Sequence, residues 1–201
     1  MNYFVTAIDT DSGKTVVSAI LCEALKADYW KPIQAGLPRD ADAVKSLSAN
    51  THIHPERFLL KLPASPHASA RAEGIEIRIA DFILPDTALT LVIEGAGGCL
   101  VPLNDKNFVI DLVKPFEAEI VLVADLYLGS INHTLLTIEA IKNRNLKIRG
   151  IIFNGDSNPE SERIILLHSG LRCLLRIKKE ISMTPELVRS YANQLNASWN
   201  E

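Results

Sequence analysis

Cysteine is scarce: Cys22, Cys99 and Cys173 stand far apart, with no C-x-x-C pair. An odd, scattered set excludes a disulfide framework and reads as reduced thiols in a cytosol. An excess of one charge is missing as well. Against 21 Lys and Arg stand 24 Asp and Glu, a net charge of −3, so nothing draws the whole chain to nucleic acid or a membrane surface. Long apolar runs are absent too; EIVLVADLYL is too short to span a bilayer and carries charge inside it. The first residues, MNYFVTA, have no basic region leading into an apolar stretch, so a cytoplasmic protein without a secretory signal is expected. No repeat, low-complexity tract or linker breaks the 201 residues, and 47% hydrophobic content suits one domain over 1–201 with a continuous core.

Short apolar runs alternate with helical periodicity. Strands are expected at 2–8, 28–33, 89–98, 118–125 and 147–155, with a further one at 172–179. Helices are expected at 14–27, 40–50, 65–74, 77–84, 107–116, 130–145, 158–170 and 184–199. The strands are continuously apolar rather than alternating, so both faces of the sheet are covered. Alternation with helices then implies right-handed crossovers and a mostly parallel, doubly wound α/β sheet. Ligands of such sheets sit at the carboxyl ends of the strands.

One of those ends carries AIDTDSGKT, residues 7–15. Gly13-Lys14-Thr15 between an apolar strand and an amphipathic helix is the context of a phosphate-binding loop. Backbone N–H groups and the helix N-terminus there point at a phosphate chain, Lys14 reaches the terminal phosphates, and the Thr15 hydroxyl binds Mg²⁺. Ala7 stands where the usual spacing has its first glycine. That is tolerable if its φ is negative, since only positive φ strongly demands glycine.

Glu94 ends a buried strand in VIEGAGG, where a carboxylate needs a cation or a partner. RDADA offers Asp40 and Asp42 at a helix start, where capping and solvation are the plain explanation for Asp40. KPIQAG puts Lys31 on the same rim as the loop. GSINH opens a helix whose free N–H groups suit a carboxylate or phosphate. Neither His67 nor His133 has a ligand-spaced partner, and both read as structural.

TAIDTDSGKT, KPIQAG, DADA, SPHASARAEG, VIEGAGG followed by VPL, LGSINHTLLT and GIIFN occur in that order over residues 3–155. Together they resemble dethiobiotin synthetase. The resemblance implies a P-loop fold, a homodimer, and ATP- and Mg²⁺-dependent ring closure of 7,8-diaminononanoate with CO₂. By position it puts the phosphate loop on Asp11, Ser12, Gly13, Lys14, Thr15 and Val16, with Thr10, Asp11 and Ala35 on the substrate side. It makes Lys31 the active-site lysine beside Lys14, and Thr15, Asp42 and Glu94 the metal ligands. Gly95, Ala96 and Gly97 fall beside the nucleotide, and Asn154 on its adenine. Gly129, Ser130, Ile131 and Asn132 would hold the substrate carboxylate from the partner subunit.

Three positions depart from that pattern: Ala7 in the loop, Ala35 where a hydroxyl is usual, and GLRCLLRIKKE in place of the family's adenine-side segment. Two other readings stay open, a P-loop ATPase switch of the partitioning or maturation type and a nucleotide-binding protein without turnover. The switch class usually carries a further lysine early in its loop, and residues 7–12 contain none.

Overall fold

The computed structural model describes residues 1–199. Seven strands form one all-parallel sheet: β1 (Asn2–Ala7), β2 (Asp28–Trp30), β4 (Ile53–His54), β6 (Leu91–Gly98), β7 (Ala118–Asp125), β8 (Ile148–Asn154) and β9 (Cys173–Ile177). Their order is β4-β2-β6-β1-β7-β8-β9. β1 lies between β6 and β7, so its carboxyl end opens at the centre of the sheet. Two short strands, β3 (Ile33–Ala35) and β5 (Phe58–Leu60), pair separately.

Both faces are covered, as the unbroken apolar strands imply. Alternate residues of a strand face opposite ways. Phe4, Ile93, Leu122 and Phe153 pack under α3 (Pro66–Ala72), α4 (Ser130–Lys142) and α5 (Pro159–Ser169). Val5, Val92, Val123 and Ile152 pack under α1 (Lys14–Leu25), α2 (Asp40–Leu47) and α6 (Pro185–Trp199).

Three expectations are corrected. Residues 77–84 form a single 3₁₀ turn at Ile79–Asp81, and 107–116 another at Val109–Leu112. In each the acid three residues on accepts a backbone N–H, Asp81 from Arg78 and Asp111 from Phe108, both at 2.8 Å. Such local side-chain bonds compete with helix continuation, and the β-branched residues add to that. The run 28–33 is not one strand: Pro32 lacks the N–H a ladder needs, and the chain passes from β2 into the small sheet.

Candidate active site

The loop between β1 and α1 turns sharply at Gly13, whose φ is +95°. That φ is what requires glycine; a Cβ there would also crowd the Asn154 amide, which would have to shift. Ala7 is the last residue of β1, fully buried and outside the positive-φ set, which removes the objection to it. Val17 N–H is the first to bond back into the helix, to Gly13 O at 3.1 Å. The amides before it lack helical partners and form an anion-ready end.

Lys14 is 5% exposed and donates to Asp9 O at 3.0 Å and Thr10 O at 2.7 Å. Burial, aided by the Lys31 charge, pushes its pKa down to about 8 against the pull of Glu94, Asp40 and Asp11.

Next to it the Thr15 hydroxyl donates to Glu94 Oε1 at 3.0 Å. Glu94 is 1% exposed on β6, and its other oxygen accepts from Tyr29 OH at 2.9 Å. Lys31 Nζ completes the cluster, 3.0 Å from Glu94 Oε1 and 2.7 Å from Asp40 Oδ2. Burial alone would lower the Lys31 pKa, but the Glu94 and Asp40 carboxylates outweigh it and hold the ammonium above its usual range. Tyr29 is pushed well above its ordinary value by burial and by Glu94, so it stays a donor.

Lys31, Asp40 and Thr10 face a cavity of about 390 Å³ whose walls include Ile33, Ala35, Pro63, Ala96, Gly97 and Val101. One end is therefore charged and most of the wall is apolar, with Gln34 and Ser65 as its other polar side chains. A larger hollow of about 500 Å³, between α3 and residues 103–107, contains no phosphate-loop residue. His67 lines that second hollow and bonds Ser65 Oγ, while His133 bonds Tyr127 OH at 2.6 Å.

The structure thus gathers Thr10, Lys14, Thr15, Lys31, Ala35, Glu94, Gly95, Ala96 and Gly97 at one rim, Gly95 through its carbonyl to Lys31 at 3.4 Å. Asn154 lies under the loop, its Nδ2 donating to Ser12 O at 2.9 Å. Asp42 is not brought to Thr15 and Glu94; its side chain is 69% exposed and 3.8 Å from Arg39. Gly129 to Asn132 begin α4, with φ +108° at Gly129, and none of them lines the Lys31 cavity. The sequence reading passed over Tyr29 entirely and gave Asp40 a capping role. The signal for Tyr29 was its place two residues before Lys31, on the strand that delivers that lysine to Glu94.

The donors fit a hard cation shared with phosphates. Ligand oxygens about 2.05 Å from an octahedral Mg²⁺ lie about 2.9 Å apart, close to the Thr15–Glu94 spacing of 3.0 Å. Among the described residues no three His, Cys, Asp or Glu side chains form a ready-made cage.

The AAA domain family model matches residues 1–187. The ATP-dependent dethiobiotin synthetase BioD of Cytophaga hutchinsonii is 56% identical over 99% of this chain and 98% of its own. The chain belongs to the dethiobiotin synthetase family. A second relative of that name, from Christiangramia forsetii, is 47% identical over 96% of this chain and 95% of its own. At 9% identity, a putative plasmid partition protein of Borrelia burgdorferi bound to AMPPNP covers all of this chain and 98% of its own length, with a TM-score of 0.59. That likeness shows the P-loop type of fold alone. Membership is consistent with the lysine-bearing apolar cavity beside the loop, which a nucleotide switch would not require. Among the described residues no helix is long and apolar enough to cross a membrane.

Proposed function

We propose that the chain closes the ring of 7,8-diaminononanoate with CO₂, using ATP and Mg²⁺, and releases dethiobiotin, ADP and phosphate. The observation that carries this is Lys31: a second buried ammonium, across Glu94 from the phosphate loop, at the charged end of an apolar cavity. An amine adds to CO₂, forming a C–N bond, losing a proton and leaving a carbamate. The carbamate oxygen takes the γ-phosphoryl group, the second amine attacks the carbonyl carbon, and phosphate leaves. Such transfer needs positioning and charge neutralisation more than a nucleophilic side chain. Burial pushes the Cys22, Cys99 and Cys173 thiols up, and none of them lines the cavity, so no thiolate competes for that role. Lys31 faces the carbamate, Lys14 the phosphates, and the apolar walls the alkyl chain. When bound, Mg²⁺ would neutralise phosphate charge, and Thr15 and Glu94 would hold it.

The test is ADP release measured with and without diaminononanoate and bicarbonate. Release that requires both is expected; release that ignores them would leave the nucleotide switch as the better reading.

Two further expectations follow from the site. Glu94→Gln should raise the half-saturating Mg²⁺ concentration by about 10–100-fold, the usual range for a damaged metal site. A Mg²⁺ titration of turnover decides this, and an unshifted curve removes Glu94 from the shell. The second concerns pH. A free-enzyme Lys14 pKa of about 8 means the ammonium is mostly charged at pH 7 and mostly neutral at pH 9. Phosphates favour the charged form, so ATP binding takes up a proton at the higher pH. Affinity should fall about tenfold from pH 7 to pH 9, with uptake near one proton per nucleotide at pH 9. Titration calorimetry in two buffers of different ionisation heat measures both, and pH-independent binding without uptake would contradict the assignment.

A further inference from the structure

Ring closure must remove a proton from each amine of the diamine, one as the first adds to CO₂ and one as the second attacks the carbonyl carbon. An amine that keeps its extra proton has no lone pair to attack with. Among the described residues, the polar side chains along the Lys31 cavity are Thr10, Lys31, Gln34, Asp40 and Ser65. Thr10 belongs to the phosphate loop, and Lys31 and Asp40 to the charged cluster beside Glu94. Gln34 commits its amide to backbone, accepting the Asp40 N–H at 3.1 Å and donating to Gly36 O at 3.2 Å. Ser65 leads elsewhere.

Ser65 is the N-cap of α3, where a serine oxygen ordinarily accepts a backbone N–H of the first turn, yet it makes no such bond. The two amides it could have taken, those of His67 and Ala68, go to Pro102 O at 3.2 Å and Ser65 O at 3.0 Å. The hydroxyl is left to the imidazole, with Oγ 3.0 Å from His67 Nδ1. His67 in turn lines the second hollow of about 500 Å³, where Arg71, Glu76, Arg78, Asp105 and Lys106 make a polar surround. The pair therefore joins the two spaces, hydroxyl on the cavity with Lys31 and imidazole on the hollow beyond.

We propose that Ser65 and His67 form a relay that carries away the proton of the ring-closing amine. As that amine attacks the carbonyl carbon of the phosphorylated carbamate, the C–N bond forms. The N–H proton passes to Ser65 Oγ while the Ser65 proton passes to His67 Nδ1. Phosphate leaves with the electron pair of the C–O bond, and the imidazolium gives its extra proton to water in the second hollow. Ser65 is the group that meets the substrate, and His67 acts through it. The imidazole takes part as the tautomer with its proton on Nε2, so that Nδ1 accepts. The relay rests on the ring-closing reading and adds the route by which that step loses its proton.

The measurement is the ratio of ADP released to dethiobiotin formed, which the balanced reaction sets at one for the parent. An amine that cannot shed its proton leaves the carbamic–phosphoric anhydride to water, which returns carbamate and phosphate with ATP consumed and no ring made. Ser65→Ala removes no capping bond, so it should melt with the parent. It should form dethiobiotin about a hundredfold more slowly, the lower end of general acid–base catalysis, and release several ADP for each ring closed. His67→Ala should behave alike. Imidazole added to the buffer can enter from the second hollow; it should raise dethiobiotin formation by His67→Ala about tenfold and draw the ratio back towards one. It should do nothing for Ser65→Ala, which lacks the link to the substrate. A merely structural role would slow ADP and dethiobiotin together at a ratio of one. That ratio in both variants, a parent-like rate in Ser65→Ala, or a His67→Ala protein indifferent to imidazole would each overturn the relay. A parent chain that forms no dethiobiotin refutes the ring-closing reading, and the relay with it.

Discussion

Replacing Lys14 or Lys31 with alanine should cut dethiobiotin formation by on the order of 10²–10³, the cost of removing one preorganised charge from a site where negative charge develops. The two variants should differ in stability, and that difference is a signature of what each lysine does. Lys14 is buried without a carboxylate in contact, and its pKa falls from 10.5 to about 8. A lysine whose folded pKa is depressed burdens the fold fully below the folded value. The penalty fades as pH rises from about 8 towards 10.5, where the unfolded chain also loses its proton. At neutral pH it is on the order of 3 kcal/mol. Lys14→Ala should therefore unfold at the same temperature as the parent or higher while losing turnover. Lys31 is the opposite case. Its charge is paired with Glu94 and Asp40, and breaking a buried pair costs about 3–5 kcal/mol when the remaining charge is stranded. Glu94 keeps its bonds from Tyr29 and Thr15, and Asp40 can turn to water, so the loss should fall short of that range. Thermal melts beside initial rates check both variants. A Lys31→Ala protein that is folded and nearly fully active would remove Lys31 from the chemistry.

The phosphate loop, Lys31 and Glu94 were legible because each breaks off a short apolar run with polar residues, towards the edge where the parallel sheet puts its ligands. The choice between Asp40 and Asp42 was not. Residues two apart on a helix point about 200° away from each other, so only one can meet Lys31. Which one does is decided by the Gln34 bond to the Asp40 N–H, a contact between a buried strand and a helix end that no local pattern encodes. The small β3–β5 sheet was invisible for a similar reason: three-residue strands carry too few alternations to register as a period. Ala35, the position where a hydroxyl was missed, lies in that sheet and on the cavity wall. The 3₁₀ turns at Ile79–Asp81 and Val109–Leu112 were overread as helices because their apolar spacing is helical while their acids bond locally.

Subunit mixing should restore about a quarter of full activity from two inactive proteins, if each site takes its carboxylate-binding end from the other chain. A diaminononanoate ends in a carboxylate several carbons from its amines, and the Lys31 cavity offers apolar walls rather than a cation at its far side. The start of α4 from a second copy would supply what is missing, with backbone donors and a partial positive charge. That is worth roughly 0.3–1 kcal/mol when exposed and up to about 2 kcal/mol when partly buried. Within one chain none of Gly129 to Asn132 lines the cavity, so the expected contact requires a second copy. The surrounding surface suits such a copy, since Leu128 is fully exposed and Tyr127, Ile131 and Leu136 are exposed beside it. One partner in the mixture carries Lys14→Ala. The other carries Asn132→Asp, which sets a negative charge against the carboxylate without straining the positive φ of Gly129. After exchange about half the dimers are mixed, and each has one site with both lesions and one with neither, giving the quarter. Exchange is followed by mass spectrometry of the intact dimer. Exchange without recovered turnover means that each chain holds its substrate unaided.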